Sequence, residues 1–455
     1  MLQRYVPGRV AVLLASEFLL IYSCYVAATF ALLRLDAEMF LLDDNGWLRI
    51  LIVTLCLIVA IYFHDLYSDI RLGFRDLQRA GVIAAVAFFA EALLSYLKQA
   101  QLVVPARPMI AGTALTILVL LVWRSFAYQV LVKVMPPERV IFLGNSPIVQ
   151  EIVAQLESHP EKGLAPLGFV GDTDHAYGTR LGALADLCEI VDRLHADRIV
   201  VALTERRLNL PVERLLQMRL AGVRVEDVLS TYEAAFERIS TRALHPSQLI
   251  FSSTELGPNR RRVMLQSVYS MTFATIVTII AAPVMLGVAI LIRLTSRGPA
   301  LFRQQRVGKN DRLFTLYKFR SMVQDAEAKS GAVWARRNDP RVTPVGRWLR
   351  RLRLDELPQL FNVLKGDMSI VGPRPERPEF VVNFEKRFPY YRHRHCVKPG
   401  ITGWAQINHK YGDTEEDAIA KLEYDLYYIK NLAPALDAII MFRTAKVMLL
   451  SRGAQ

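Results

Sequence analysis

Four long apolar runs crowd the first 135 or so residues, and they constrain the fold more than any other feature. They cover Val10–Leu33, Leu48–Phe63, Ala80–Leu97 and Met109–Val132. A helix that crosses a bilayer needs ~20 mostly apolar residues, because lipid offers no partner for exposed backbone groups. The first and last runs reach that length, and the second and third are shorter but compatible with spans. A cleaved leader fits the first run poorly, since it is long and three more follow. The expectation is a four-helix transmembrane bundle over residues 1–135.

Charge in the linkers orients the bundle. Arg4 and Arg9 precede the first run, and the first loop is acidic, with Asp36, Glu38, Asp43 and Asp44. Arg71, Arg75 and Arg79 fill the second loop, Lys98 and Arg107 the third, and Lys133 and Arg139 follow the last run. The positive-inside rule puts both ends of the bundle in the cytoplasm. Glu17 and Glu91 fall inside spans. Acids there pair with other groups or carry function; a structural role is the first expectation and a relay the alternative.

The whole chain has 455 residues, too many for one typical core. Its net charge of +13 suits nucleic acid, anionic lipid or phosphorylated substrates. No nucleic-acid motif appears and basic residues flank the apolar runs, so no nucleic-acid partner is expected. Cys24, Cys56, Cys188 and Cys396 lack metal-type spacing, which argues against zinc and against a disulfide framework.

Residues 136–255 have the pattern of a cytoplasmic α/β domain. The segments 139–145, ending in Gly144-Asn145, 167–172 and 198–203 read as buried strands, with a helical pattern between the first two from Pro147 to Leu156. Alternation of this kind predicts a parallel, doubly wound, Rossmann-like sheet. A dinucleotide fingerprint would place glycines at 144, 146 and 149, and only Gly144 is present. A structural or regulatory role and a nucleotide-sugar role both stay open.

Residues 256–300 contain Arg260–Arg262, then an apolar stretch from Val263 to Leu294 interrupted by Ala282-Pro283. Proline inside a helix removes a backbone bond and kinks or breaks it. Basic residues stand at both ends, with Arg293 and Arg297 after the stretch, so both ends belong on the same membrane face. The expectation is a re-entrant hairpin of two arms joined at Pro283; a proline-kinked span is the competing reading.

Residues 301–455 carry the chemistry. Phe302–Gly308 and Phe314–Met322 read as strands with cations near their ends, and Ala326–Trp334 and Pro344–Leu352 as helices. Asp355-Glu356 is expected to open the next helix, with Pro358 in its first turn, where the helix terminus keeps the acid ionised and fit to attack or to ligate. A charged pair at a helix start is more often a cap than a catalyst. Its company raises it: Arg350, Arg353 and Arg374 offer planar forks suited to phosphate. Gly372-Pro373-Arg374-Pro375 and Val397–Gln406 are glycine- and proline-punctuated loops that would place such groups. Asp425 is a further acid that could reach a metal. Carboxylate attack at phosphorus gives an aspartyl-phosphate, and a diphosphate substrate would need Mg²⁺, with Asp355, Glu356 and Asp425 as candidate ligands. His393, His395 and His409 lack ligand spacing; Arg392–Lys398 reads as an anion- or headgroup-facing patch. Leu432–Ser451 suits an amphipathic helix in the membrane interface, or else a buried core helix.

The last 190 or so residues resemble the bacterial sugar transferases, the polyprenyl-phosphate hexose-1-phosphate transferases also called monotopic phosphoglycosyl transferases. The matching pieces are Lys318-Phe319-Arg320-Ser321-Met322, Leu354–Ser369, Val371–Pro375 and Val397–Gln406. The order of domains resembles the long form of that family found in exopolysaccharide and capsule synthesis. The resemblance implies transfer of a hexose 1-phosphate from a UDP-sugar, UDP-glucose or UDP-galactose first, to undecaprenyl phosphate, with release of UMP. It implies Asp355 as nucleophile, Glu356 as its assistant through acid–base chemistry or Mg²⁺, and Pro283 as the break of the hairpin. Lys318, Arg320, Arg350, Arg374, Lys398 and Gln406 are the implied substrate- and phosphate-binding residues. The implied setting is the bacterial inner membrane, with the catalytic domain on the cytoplasmic face of a multi-pass protein, a possible homodimer working with polysaccharide assembly machinery. Two departures from the family pattern stand out: Ala282-Pro283 where Ser-Pro is common, and Ser270 near the place of an aspartate at the start of the hairpin. A membrane-bound nucleotide-sugar dehydratase or epimerase, and a non-catalytic scaffold, are the alternative readings. The first would need the full glycine fingerprint, which is missing.

Overall fold

A computed structural model describes residues 8–63, 103–134, 136–144, 146–171, 179–203, 210–242, 259–324, 339–388, 390–409 and 414–449. The chain forms two compact units, Met1–Asp227 and Val228–Gln455.

The first unit opens with helices Gly8–Leu33, Ala37–Leu42, Gly46–Phe63 and Ala106–Val134. Leu, Ile, Val and Ala dominate them, so each satisfies its backbone internally while offering apolar side chains on every side. Leu13, Ile21, Tyr25, Ile50, Val53 and Met109 form their shared core. Gly112 admits the Tyr25 ring, because a Cβ there would lie 2.6 Å from Cδ1 of the ring. Val10–Leu42, Gly46–Phe63 and Ala106–Arg124 are long and apolar enough to cross a membrane. The expected third run, with Glu91, lies outside the described residues. Glu17 is fully buried, and Arg124 clasps it through two bonds, one of 3.0 Å from Nη2 to Oε2. A planar fork on a carboxylate is the pairing that tolerates such burial, and it gives Glu17 a structural task.

A five-stranded sheet follows, with β1 (Glu138–Leu143), β2 (Leu164–Val170), β3 (Arg180–Gly182), β4 (Arg198–Val201) and β5 (Arg224–Asp227) in the order β3-β2-β1-β4-β5. Every pairing is parallel, so the expected parallel α/β sheet is present. The central strands are apolar and buried over Val140–Leu143 and Ile199–Val201, as burial on both faces demands. Gly144 ends β1 at φ +92, and a Cβ on it would lie 2.9 Å from Leu203 Cδ2. Backbone conformation and close packing by Leu203 together account for this glycine.

The second unit is built around one long helix, Arg260–Thr295. Asn259 caps it by accepting from the Arg261 amide at 2.9 Å. Two arms were expected; instead Pro283 lies inside a single helical element. Its buried residues fall in two groups, Gln266, Ser270 and Ala274 before the proline and Met285, Val288 and Ile292 after it. Between the groups Ile276, Ile279, Ile280 and Val284 are exposed. A hairpin of β6 (Leu301–Val307) and β7 (Leu313–Phe319) follows, antiparallel and in the expected places. Helix Pro344–Arg351 starts at a proline and is capped by Thr343 Oγ1, which accepts from the Gly346 amide at 2.9 Å. The segment 326–334, expected to be helical, lies outside the described residues. β8 (Ser369–Val371) pairs in parallel with β9 (Gly400–Thr402). Helix Glu415–Lys430 begins with a full capping box at Thr414 and Asp417, and helix Pro434–Leu449 buries Leu436, Asp437 and Ile440 completely. Burial of that face makes it a core helix of this unit.

The first half of the long helix docks through polar side chains. Gln266 Nε2 lies 2.6 Å from Tyr428 Oη, 2.8 Å from Asp437 Oδ2 and 3.2 Å from the Val371 carbonyl. The Tyr269 hydroxyl also reaches Asp437, and Ser270 Oγ meets Ser369 Oγ at 2.8 Å. The carboxylate of this network comes from Asp437 on the last helix. In the second half, Met285, Val288 and Ile292 pack on Phe319 and Leu349.

Candidate active site

Asp355 and Glu356 stand in a 3-10 turn, Leu354–Glu356, not at the start of a helix. The next helix, Gln359–Lys365, begins only after Pro358. Arg353, at φ 54, turns the chain back between the two helices and presents the turn to β7. Lys318 on β7 lies 3.2 Å from Glu356 Oε1, and Arg374 Nη2, from the loop after β8, lies 3.0 Å from the same oxygen. Arg350, on the preceding helix, donates from Nε to Ser321 Oγ at 2.9 Å. Three separate segments therefore converge on the turn that carries the acid pair.

The two acids differ in environment. Asp355 is 9% exposed, and among the described residues nothing hydrogen-bonds its carboxylate. Burial pushes its carboxyl above the usual range; Lys318 opposes, the Glu356 charge adds to the rise, and Arg350 and Arg374 oppose it. The expectation that a helix terminus keeps Asp355 ionised is corrected here: the helix starts four residues later, and desolvation dominates. Burial pushes Glu356 up as well, but Lys318, Arg374 and Arg353 outweigh it and hold this carboxyl well below the usual range. Glu356 is the permanently charged member, and Asp355 is the one with open oxygens.

Glycines bring the two loops together. A Cβ on Gly372 would lie 2.5 Å from the Lys398 carbonyl, one on Gly400 would meet the Gly372 amide, and one on Gly403 would meet the Gly372 carbonyl. The Gly372–Pro375 and Pro399–Gly403 backbones touch with no room for side chains.

The family description "Bacterial sugar transferase" matches residues 261–451. A UDP-N-acetylgalactosamine-undecaprenyl-phosphate N-acetylgalactosaminephosphotransferase of Aeromonas hydrophila is 43% identical over 260 residues, 57% of this chain and 60% of that protein. An undecaprenyl-phosphate glucose phosphotransferase of Komagataeibacter xylinus is 46% identical over 191 residues, 41% of this chain and 36% of its own length. The exopolysaccharide production protein PSS of Rhizobium leguminosarum bv. phaseoli is 44% identical over 180 residues, 38% of this chain and 90% of that protein. The chain belongs to the bacterial sugar transferases. The match covers less than two thirds of the first two relatives' length, and their names specify different sugars.

Other residues singled out from this transferase's sequence have different surroundings. Arg320 is buried and donates to the Arg297 carbonyl at 2.7 Å, the Ser296 carbonyl at 2.9 Å and Ser296 Oγ at 2.7 Å, so its fork closes the exit of the long helix. Asp425 does not join the acid pair. It lies on helix Glu415–Lys430, 2.7 Å from Arg394 Nη2. Burial, opposed by Arg394, pushes its carboxyl up to about 6. Among the described residues no three His, Cys, Asp or Glu side chains gather as a metal cluster. Lys398 is half-buried, and burial with the nearby Lys309 pushes its ammonium down against the pull of Asp367. Gln406 donates to the Ile401 carbonyl at 3.1 Å, and its Oε1 is buried without a partner among the described residues.

The basic run 392–398 is not simply a surface patch. His395 lies 2.6 Å from Asp311, and Arg394 is buried. Arg394 reaches Tyr391 Oη at 2.6 Å and the Arg374 carbonyl at 2.9 Å. It braces the Arg374 loop from behind, a task that no local pattern announces. Its sequence signal is weak, a lone arginine 31 places before an aspartate in another element.

Proposed function

We propose that this chain transfers a sugar 1-phosphate from a UDP-sugar to undecaprenyl phosphate on the cytoplasmic face of the bacterial inner membrane, releasing UMP. The observation that carries the reading is the Asp355 carboxylate, buried and unpartnered beside an ionised glutamate and within the field of Lys318, Arg350 and Arg374. An acid in that setting suits nucleophilic attack, because its oxygens need break no hydrogen bond first and Lys318, Arg350 and Arg374 favour its charged form against the rise from burial. In the first step an Asp355 oxygen bonds to the sugar-bearing phosphorus, and the bond to the UMP oxygen breaks. In the second, a polyprenyl phosphate oxygen bonds to that phosphorus and the Asp355 ester breaks, restoring the carboxylate. Among the described residues Arg350 is hydrogen-bonded through Nε alone, which leaves its terminal nitrogens for phosphate oxygens. Cations around the pair offset the charge of the incoming diphosphate.

Mg²⁺ takes oxygen ligands, and Asp355 and Glu356 would hold it here without Asp425, which pairs with Arg394. When bound it would neutralise phosphate charge. Glu356, held ionised, serves as a ligand and electrostatic partner rather than a proton donor.

The long helix supports placement on one membrane face. At 36 residues it measures roughly 54 Å against a hydrocarbon core of ~30 Å. Gln266 before Pro283 and Ile292 after it both pack on the same folded unit. A span would put that unit on both sides of the bilayer. On this reading the exposed 276–284 segment enters lipid, and Pro283, inside the single helix, is where that helix would bend to bring both ends to one face.

The test is UMP release from a panel of UDP-sugars with undecaprenyl phosphate. Asp355→Asn is expected to lower turnover by roughly 10³-fold or more while melting temperature holds. Unchanged turnover removes Asp355 as nucleophile, and no UMP from any sugar with the wild-type protein removes the whole reading.

A further inference from the structure

Asn362 is fully buried and bonds to the backbone of another element through both ends of its amide. Its Oδ1 accepts from the Tyr317 amide at 3.1 Å, and its Nδ2 donates to the Thr315 carbonyl at 2.7 Å. Thr315 and Tyr317 are two apart on β7, so both groups face the same edge. β6 occupies the opposite edge of this two-stranded sheet. The amide therefore stands in for a third strand, with one donor and one acceptor where a ladder would put them. Lys365, from the same helix, reaches the Tyr317 hydroxyl at 2.8 Å. The next residue on β7 is Lys318, which contacts Glu356.

We propose that Asn362 is a positioning residue for the acid pair: it fixes β7 against helix Gln359–Lys365 and so sets the Lys318–Glu356 contact. No other residue type of this size presents a donor and an acceptor in one rigid plane. A leucine fills the volume but leaves the Tyr317 amide and the Thr315 carbonyl unbonded, and β7 shifts. The proposal rests on the transferase reading, in which Lys318 tunes the charge of the site.

The experiment is a double-mutant cycle between Asn362→Leu and Lys318→Met, followed by UMP release. Asn362→Leu is expected to lower kcat roughly 10–100-fold, the scale of an ångström misplacement, with KM for the UDP-sugar changed less than about threefold. Because it acts through Lys318, adding Asn362→Leu to Lys318→Met is expected to cost no more than about twofold further. Fully additive losses overturn the proposal, as does a rise in KM alone. Asn362→Asp, which keeps the acceptor and loses the donor, replaces Asn362→Leu if the latter fails to fold and is expected to show the same coupling. Amide exchange at Tyr317 needs no turnover: it is expected to be slow in the wild-type protein and fast in Asn362→Leu, while Asn362→Asp, which keeps the acceptor, leaves it slow. A freely exchanging wild-type Tyr317 overturns the clip. Wild-type protein that makes no UMP while Tyr317 stays protected sinks the transferase reading and leaves the clip standing.

Discussion

Arg394→Met removes the fork that joins Asp425 to the back of the Arg374 loop. In the wild-type protein burial has already pushed Asp425 up to about 6, with Arg394 opposing the rise. Without that cation the folded-state pKa climbs further. Stripping one partner from a buried pair costs ~3–5 kcal/mol, because a buried charge is left unpaired. Asp425 can avoid most of this by taking up a proton, so the loss depends on pH. The folded value lies above the unfolded value of 3.8, so between the two the folded state binds more protons. Unfolding free energy therefore falls as pH rises through that window. In the variant the window extends upward. The stability deficit should be largest near pH 8 and shrink steadily toward pH 5, as measured by fluorescence-monitored melting in detergent. UMP release should fall at every pH, since the Arg374 carbonyl has lost its donor. A deficit that stays flat between pH 5 and pH 8, or turnover equal to wild type, would refute the reasoning.

Glu17→Gln leaves Arg124 charged inside the helical bundle and should lower the melting temperature sharply, with a cost of ~3–5 kcal/mol; Arg124→Met added to it should restore part of the loss in the same melt. Gly372→Ala sets a methyl 2.5 Å from the Lys398 carbonyl, so it should separate the two loops and abolish UMP release. Leu349→Ala, at a fully buried contact with Met285, Val288 and Ile292, should destabilise the second unit by ~2–5 kcal/mol in the same assay.

Composition and spacing carried several elements without help. The apolar runs around Val10–Leu33 and Met109–Val132 are helices because lipid-length stretches of Leu, Val and Ala admit no other hydrogen-bonded form. β6 and β7 were legible as short segments with cations near their ends, and the parallel sheet from strands alternating with helices. The acid pair, its arginines and the glycine loops were legible because they lie close together in the chain.

Other features depended on contacts between distant segments. Arg320 and Arg350 look alike as sequence, yet one closes the exit of a helix and the other flanks the acids. Asp425 looks like a metal ligand until Arg394, from another element, claims it. Asn362 sits in the motif beside the acids, and its amide means nothing until β7 lies across it. Asp355-Glu356 shows the division most clearly. Local sequence determined that two carboxylates would stand beside arginines. Only the tertiary structure decided that Lys318 and Arg374 would fall on Glu356 and leave Asp355 buried and open, because burial and charge pairing act through space and not along the chain.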